Sequence, residues 1–277
     1  MNESAQTNMK LGVFDSGLGG VMIARAMREL IPDVDMVYLG DTLHLPYGNR
    51  SEDAIFTYTQ NAVDYLFREL GCQLIIMACN TASASALRKI QQSYLPEHFP
   101  ERRVLGVVVP TMEYALDQGY ERLGLIGTNY TVRSNIYEEE LQKINPDIRI
   151  FQVNTPLLVP LIEDDGMEWI DSVLDKYIQP LLKRDIQALI LSCTHYSFLK
   201  DRIRDRYKID VLSQDEIVPL KLHHYLERHP RISDRIGRHG RECFYVTDLT
   251  PNYSEKASAF FKKDIILQQT QVGMFKP

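Results

Sequence analysis

The sequence contains only four cysteines in 277 residues, Cys72, Cys79, Cys193 and Cys243. None lies at the short spacing from another that marks a metal site. A chain of this length can bury a sizeable core without disulfides, so we expect reduced thiols rather than a disulfide framework. We also predict no metal site, because no further His or Cys ligands cluster nearby.

Long apolar runs and an excess of basic charge are also missing. No stretch approaches the length of a membrane span, and the polar residues 1–10 lack the apolar segment of a signal peptide. The net charge is −6, and the basic run 202–206 is interrupted by Asp205, which argues against nucleic acid as a main ligand. We therefore expect a cytoplasmic protein without a nucleic-acid or membrane partner, and a homodimer is left open.

Two apolar runs end in a cysteine followed by polar residues. LIIMACNT contains Cys79, and LILSCTH contains Cys193. Such runs are typical of buried parallel strands that deliver a thiol to their carboxyl ends. Runs 11–16 and 123–128 repeat at nearly the same offset, which indicates an internal duplication. The sequence thus predicts two related halves whose cysteines face each other across one cleft.

The fold class that this pattern predicts is α/β, with two pseudo-symmetric, doubly wound parallel-sheet domains and the site in the cleft between them. We expect the first domain to comprise residues 1–107 plus 210–277, and the second residues 108–209. No low-complexity linker separates them. The predicted strands are Lys10–Phe14, Met36–Leu39, Gln73–Met77, Val104–Val108, Arg122–Ile126, Ile148–Val153, Ala188–Leu191 and Ile209–Leu212.

Helical spacing separates most of these strands. One helix is expected to begin after Ser51, which can act as its N-cap, with acidic Glu52 and Asp53 in its first turn. A longer helix is expected to run to about Leu182, with Trp169 in the apolar stripe that packs into the core.

Asp15 ends the first predicted strand and is followed by the glycine-rich run SGLGG. A strand-to-helix turn of this kind suits an anion, because exposed backbone N–H groups point at it. The run matches neither the dinucleotide fingerprint nor the phosphate loop, and by itself it is equally consistent with a plain turn. A carboxylate at this strand end could accept a proton or bind a substrate ammonium.

Other polar residues at the predicted strand ends admit two readings. Asn80, Thr81 and Thr194 could simply cap the helices that follow the cysteine strands. Side chains at such ends also converge where open α/β sheets bind ligands, so capping and substrate binding are compatible. Tyr47 and Gly48 follow a proline, and this run could simply be a turn without a role in binding.

His195 lies two residues after Cys193. A histidine here is often a core or helix-start residue, but an imidazole beside a thiol can also tune its ionisation. Two thiols on opposite sides of a cleft suit the removal of a proton from one face of a carbon and its delivery to the other. No lysine lies in a recognisable pyridoxal-phosphate motif, so we predict chemistry without a cofactor.

With these residues assembled, the chain resembles the glutamate racemase family, within the cofactor-independent aspartate/glutamate racemase superfamily. The matching segments extend over nearly the whole chain, and they read GVFDSG, GDT, PYG, ACNT, GT, VPLIE, CTHY and FYVT. The resemblance implies that Cys79 and Cys193 are the two bases, with Asp15 and His195 as helpers and Glu163 as a further polar group. It also implies substrate contacts from Asp15, Ser16, Tyr47, Gly48, Asn80, Thr81, Thr194 and His195.

The same resemblance implies that D-glutamate is supplied to peptidoglycan synthesis in a bacterial cytoplasm. The chain departs from the family pattern at Ser192 and Ser197, where glycine and proline are usual, and at Thr155, where cysteine is usual. It also departs at Tyr130 and Ser213, where glycine and aspartate are common. These departures leave open an aspartate racemase and a secondary, non-housekeeping paralogue. A non-catalytic amino-acid-binding relative on the same scaffold is a further alternative, because a fold does not dictate its function.

Overall fold

Parallel strands form two sheets in the computed structural model, which describes residues 8–273. In chain order the strands are β1 (Lys10–Asp15), β2 (Met36–Gly40), β3 (Cys72–Met77), β4 (Arg103–Gly106), β5 (Arg122–Gly127), β6 (Arg149–Asn154), β7 (Ala188–Ser192), β8 (Asp210–Ser213), β9 (Glu242–Val246) and β10 (Leu267–Gln269). The first sheet has the order β10-β9-β2-β1-β3-β4, and the second has the order β6-β5-β7-β8. The predicted α/β class with two parallel sheets is confirmed.

Helices connect the strands, as parallel pairing requires. They are α1 (Gly20–Leu30), α2 (Glu52–Arg68), α3 (Asn80–Lys89), α4 (Leu95–His98), α5 (Val108–Asp117), α6 (Asn129–Arg133), α7 (Ile136–Ile144), α8 (Leu158–Glu163), α9 (Ile170–Leu182), α10 (Lys200–Tyr207), α11 (Gln214–Arg228), α12 (Pro230–Ser233) and α13 (Pro251–Phe261). Short 3₁₀ segments cover Thr42–His44, Tyr47–Asn49 and Thr194–Leu199, and a π-helical turn covers Ile90–Tyr94. Within residues 8–273, no helix has both the length and the apolar character needed to cross a membrane.

The central strands are apolar because helices cover both of their faces. Every residue of β3 and of β7 is buried. In β1 only the first residue, Lys10, is partly exposed. Continuous burial explains why these strands read as unbroken apolar runs rather than as alternating ones.

The two sheets repeat one topology. The strands β2-β1-β3-β4 of the first sheet correspond, in this order, to β6-β5-β7-β8 of the second, as the internal duplication predicts. The predicted return of the chain to the first domain at residue 210 is too early, because β8 pairs with β7 and is the counterpart of β4. We therefore place the return after Ser213. With that change, the division into two domains remains our proposal.

The halves share a continuous hydrophobic core. Helix α11 leaves the second sheet and packs against both α1 and α5. Its buried residues Val218, Leu222 and Leu226 join one cluster with side chains from both sheets. Since the chain crosses between the halves at the start of α5 and again at the start of α11, these two helices set the position of one half against the other.

Several details differ from the sequence predictions. Strand β4 ends at Gly106 rather than Val108, because Val108 begins α5. Trp169 is 57% exposed, so its placement in the core was wrong. It precedes the first turn of α9, whose apolar stripe begins at Ile170. Strands β9 and β10 were not predicted. The N-cap role of Ser51 is confirmed by a hydrogen bond from the Ala54 N–H to its side chain.

The packing of β1 against β3 gives a stability prediction. A Cβ added at Gly12 would lie 2.9 Å from the Cys72 Sγ and 3.1 Å from the Ile75 Cγ1. We expect Gly12→Ala to lower the free energy of unfolding by about 1–3 kcal/mol, because both contacts are closer than van der Waals packing allows. Urea unfolding followed by circular dichroism measures the change.

Cys72→Ala provides the matched control, since it removes the nearest atom. The double variant should lose less stability than the sum of the two single losses, because the new methyl group then has space. Strict additivity would show that Cys72 does not limit the space at Gly12.

Candidate active site

The carboxyl ends of three central strands carry residues that the sequence analysis selected. Asp15 ends β1, Cys79 follows β3 by two residues, and Cys193 directly follows β7. Because β1 and β3 are parallel neighbours, Asp15 and Cys79 lie at the same edge of the first sheet. The edge of the second sheet that carries Cys193 faces this edge.

A cavity of about 270 Å³ lies between the two edges, and the free thiols of Cys79 and Cys193 both line it. The predicted site residues on its wall are Ser16, Tyr47, Gly48, Cys79, Asn80, Thr81, Glu163, Cys193, Thr194 and His195. A larger cavity of about 610 Å³ lies beside α5 and α11, but none of the predicted site residues lines it. The structure thus brings the two thiols to one cavity, as the duplicated strand ends predict.

Cys79 is a buried thiol at the N-cap of α3. Its sulfur lies 3.3 Å from the Ser16 Oγ and accepts a hydrogen bond from the Ala82 N–H at 3.4 Å. Burial and the nearby negative charge of Asp15 raise the pKa of Cys79 to about 12, despite these hydrogen bonds. At neutral pH the resting Cys79 is therefore a thiol, which can donate a proton.

Cys193 belongs to a different arrangement. Its sulfur lies 3.9 Å from the His195 Nδ1, and the His195 Nε2 lies 2.7 Å from the Glu163 Oε1. Burial opposes a charge on His195, but the hydrogen bonds to Cys193 and Glu163 outweigh it and raise the pKa of His195 well above its usual value. Burial acts to raise the pKa of Glu163, and the bond to His195 lowers it overall. The His195 imidazolium and the Glu163 carboxylate therefore form a charged pair next to Cys193.

Asp15 differs from the other predicted site residues because it does not line the cavity. Its carboxylate is fully buried and accepts hydrogen bonds from the Gly17 and Gly20 N–H groups and from the Thr194 hydroxyl. Burial raises the pKa of Asp15. A direct contact between Asp15 and a substrate ammonium stays a prediction. The glycine-rich turn wraps around the carboxylate, which is linked to the cavity wall by its hydrogen bond with Thr194 and raises the pKa of Cys79 through its charge.

The Tyr47–Gly48 turn is held from behind. The Tyr47 hydroxyl donates to the Asp41 Oδ2 at 2.6 Å, and the Thr247 hydroxyl donates to the other oxygen of Asp41 at 2.8 Å. Because its hydroxyl is already engaged by Asp41, Tyr47 contributes the rest of its surface to the cavity wall. Gly48 packs on Thr128 of the opposite half, and this contact closes one side of the cavity.

Thr128 lines the cavity but was not predicted as a site residue. Its hydroxyl lies 3.0 Å from that of Thr81, so the two halves meet in a hydrogen bond at the cleft. The internal repeat contained the signal, because Thr128 follows β5 at the position that Ser16 holds after β1. Tyr253, on α13, also lines the cavity. It lies outside the repeat, and no sequence signal pointed to it.

Comparisons with known proteins agree with this geometry. The family model for Asp/Glu/Hydantoin racemases matches residues 21–217. A glutamate racemase from Sulfurihydrogenibium sp. is 40% identical over 247 residues, which cover 87% of this chain and 89% of that protein. A glutamate racemase from Dinoroseobacter shibae is 36% identical over 274 residues, which cover 93% and 97% of the two chains. The chain belongs to the glutamate racemase family.

A solved member of the glutamate racemase family has the same fold. The crystal structure of the enzyme from Francisella tularensis, in complex with D-glutamate, matches with a TM-score of 0.86 and 26% sequence identity. The match covers 96% of this chain and 98% of that one. The architecture of two parallel sheets is therefore shared with a solved glutamate racemase.

Two departures from the glutamate racemase pattern border the cavity. The Ser192 hydroxyl donates to the Ile126 carbonyl at 2.8 Å, and the Thr155 hydroxyl donates to the Gly127 carbonyl at 3.1 Å. Since both hydroxyls bond to the backbone of β5, they reinforce the strand end and are not free to donate to a ligand.

Two other departures, Ser197 and Ser213, are in contact with each other. The Ser197 and Ser213 hydroxyls lie 3.1 Å apart, and Ser213 donates to the Asp215 carboxylate at 2.5 Å. A carboxylate is thus supplied two residues after the position where the family commonly has one. Lys200 binds it at 2.6 Å.

The contact between Gly48 and Thr128 gives a prediction about substrate binding. A Cβ added at Gly48 would lie 2.8 Å from the Thr128 Cβ, so the turn could not approach α6 as it does now. We expect Gly48→Ala to lower kcat/KM for glutamate by about tenfold, mainly through KM, since overpacking of 1–3 kcal/mol is typical.

Arg50→Ala is the matched control from the end of the same turn, because Arg50 is exposed and does not line the cavity. It removes an exposed hydrogen bond to the Leu45 carbonyl, so kcat/KM should stay within about twofold of the wild type. An equal loss in both variants would mean that the turn is sensitive to any change rather than to the space at Gly48.

Proposed function

We propose that this protein is a cofactor-independent isomerase that interconverts L-glutamate and D-glutamate. The observation that carries the proposal is the pair of free thiols, Cys79 and Cys193, placed at matching strand ends on one cavity. Racemisation needs one group to take the α-proton from one face and another to return a proton to the opposite face. Two facing thiols meet that requirement.

Each turnover moves one proton across the substrate. A thiolate at one cysteine accepts the α-proton and becomes a thiol, while the thiol at the other donates its proton to the carbanion and becomes a thiolate. A thiol with the unperturbed pKa of about 8.5 costs about 2 kcal/mol to ionise at pH 7, and burial and the charge of Asp15 make this cost higher for Cys79 in the resting site. His195 is within reach of the Cys193 sulfur to exchange its proton, and Ser16 contacts the Cys79 sulfur.

Neutral donors suit the two carboxylates of glutamate. None of the described residues that line the cavity is Arg or Lys. The wall instead offers hydroxyls from Ser16 and Thr81, beside the backbone N–H groups at the start of α3. Hydrogen bonds of this kind fix an anion in place by geometry, as oxyanion sites do. Their fixed positions also favour a substrate of one length.

The proposal extends to the cell. D-Glutamate from this reaction would supply peptidoglycan synthesis, as the family membership supports. Catalysis by two free thiols suits the reducing cytoplasm, where we place the protein. The homodimer that the sequence leaves open stays a prediction.

Cysteine variants test the two-base mechanism. Cys79→Ala and Cys193→Ala should each lower racemisation by at least about 100-fold in both directions, because either loss interrupts proton transfer. Circular dichroism of each glutamate enantiomer, incubated with the purified variant, follows the reaction directly.

Cys72→Ala and Cys243→Ala are the controls, since neither residue lines the cavity. Both variants should keep activity within about threefold of the wild type, as is usual for substitutions outside an active site. Near-normal turnover by a variant lacking Cys79 or Cys193 would refute the mechanism.

A second test separates glutamate from aspartate. A shorter substrate leaves donors of the cavity unpaired, at about 1–3 kcal/mol each. We therefore expect kcat/KM for glutamate to exceed that for aspartate by at least about tenfold in both enantiomers. Equal or faster turnover of aspartate in a side-by-side assay would favour the aspartate racemase alternative, and inactivity towards both would favour a binding protein.

A further inference from the structure

A closed set of hydrogen bonds links three buried side chains beside the cavity. The Asn80 Nδ2 donates to the Gln214 Oε1 at 2.7 Å, and the Gln214 Nε2 donates back to the Asn80 Oδ1 at 2.8 Å. The Tyr137 hydroxyl donates to the Asn80 Oδ1 at 2.6 Å and accepts from the Gln214 Nε2 at 2.8 Å. No more than 2% of any of these residues is exposed.

The three residues come from different parts of the fold. Asn80 begins α3 in the first half and directly follows Cys79. Tyr137 lies on α7 in the second half, and Gln214 begins α11, where the chain crosses back between the halves. Buried polar groups of this kind specify one arrangement, since any other would leave a donor or acceptor unpaired.

The bonding pattern determines the orientation of the Asn80 amide. Its oxygen accepts two hydrogen bonds, which match its two lone pairs. Its nitrogen carries two N–H groups, of which one donates to Gln214. Asn80 also lines the cavity, which leaves the second N–H as the donor that this side chain can offer to a ligand.

We propose that Gln214 is a positioning residue, which fixes the Asn80 amide so that its second N–H meets a substrate carboxylate. The inference rests on the proposed glutamate racemase activity, and Gln214 itself does not line the cavity. A carboxylate is present in the ground state and in the transition state alike, so loss of this contact raises KM more than it lowers kcat.

The experiment compares steady-state kinetics for both glutamate enantiomers. Gln214→Leu should raise KM about tenfold while kcat stays within about threefold, because Asn80 loses its partner and can reorient. Gln214→Glu, which has nearly the same shape but cannot donate to the Asn80 oxygen, should shift KM in the same direction. Urea unfolding shows whether each variant is folded.

Two further variants isolate the cause. In an Asn80→Ala background, Gln214→Leu should change KM by no more than about twofold, because its effect passes through Asn80. Gln73→Leu removes a buried amide that bonds to the Glu101 carbonyl away from the cavity, and it should leave KM unchanged. The proposal would be overturned if the effects of Gln214→Leu and Asn80→Ala on KM were additive. It would also be overturned if Gln73→Leu raised KM as much as Gln214→Leu does.

Calorimetric titration with D-glutamate separates the two levels of inference. If the wild type is active and Gln214→Leu changes neither KM nor the affinity for D-glutamate, only the role of Gln214 is overturned. A wild type that neither racemises nor binds glutamate would overturn the proposed function, and the role of Gln214 with it.

Discussion

Parallel pairing is the constraint on which the rest of this structure depends. Because all strands of a parallel sheet point the same way, each sheet has one edge where every strand ends. The polar residues that follow the buried runs of β1, β3 and β7 are therefore collected at two edges. Facing these edges towards each other makes one cavity, and helices α5 and α11 hold the sheets in that arrangement.

The symmetry of the backbone does not extend to the groups around the two thiols. Cys79 contacts a serine hydroxyl and lies near the buried carboxylate of Asp15, whereas Cys193 faces the His195–Glu163 ion pair. Duplication explains the matching positions of the sulfurs. Later divergence of the neighbouring residues explains why the two thiols have different surroundings.

How much the sequence predicts depends on where the determining contacts lie. Strands β3 and β7 were evident because both faces are buried and their apolar runs are continuous. Strand β10 was not, since it has three residues and two of them are exposed glutamines. Short-range features such as Cys193 and His195 were equally visible. Glu163, the hydrogen-bond partner of His195, was identified only through the family resemblance, because no local sequence feature indicates this contact.

Other parts of the site are decided only by tertiary packing. The burial of Asp15 depends on how the glycine-rich turn folds back, so a carboxylate expected at the cavity wall lies behind it. The hydrogen bonds among Asn80, Tyr137 and Gln214 join segments far apart in the chain, and no local pattern marks them. Thr128 is intermediate, because the repeat aligned it with Ser16.

The absence of Arg and Lys from the described lining of the cavity affects how an anion is captured. A cluster of cations would attract substrate from a distance, and dissolved ions would weaken that attraction. Short hydrogen bonds act only once the ligand has arrived, and mobile ions do not screen them in a buried cleft. For the proposed substrate, capture of a carboxylate by these hydrogen bonds is a short-range event, and we expect it to depend little on ionic strength.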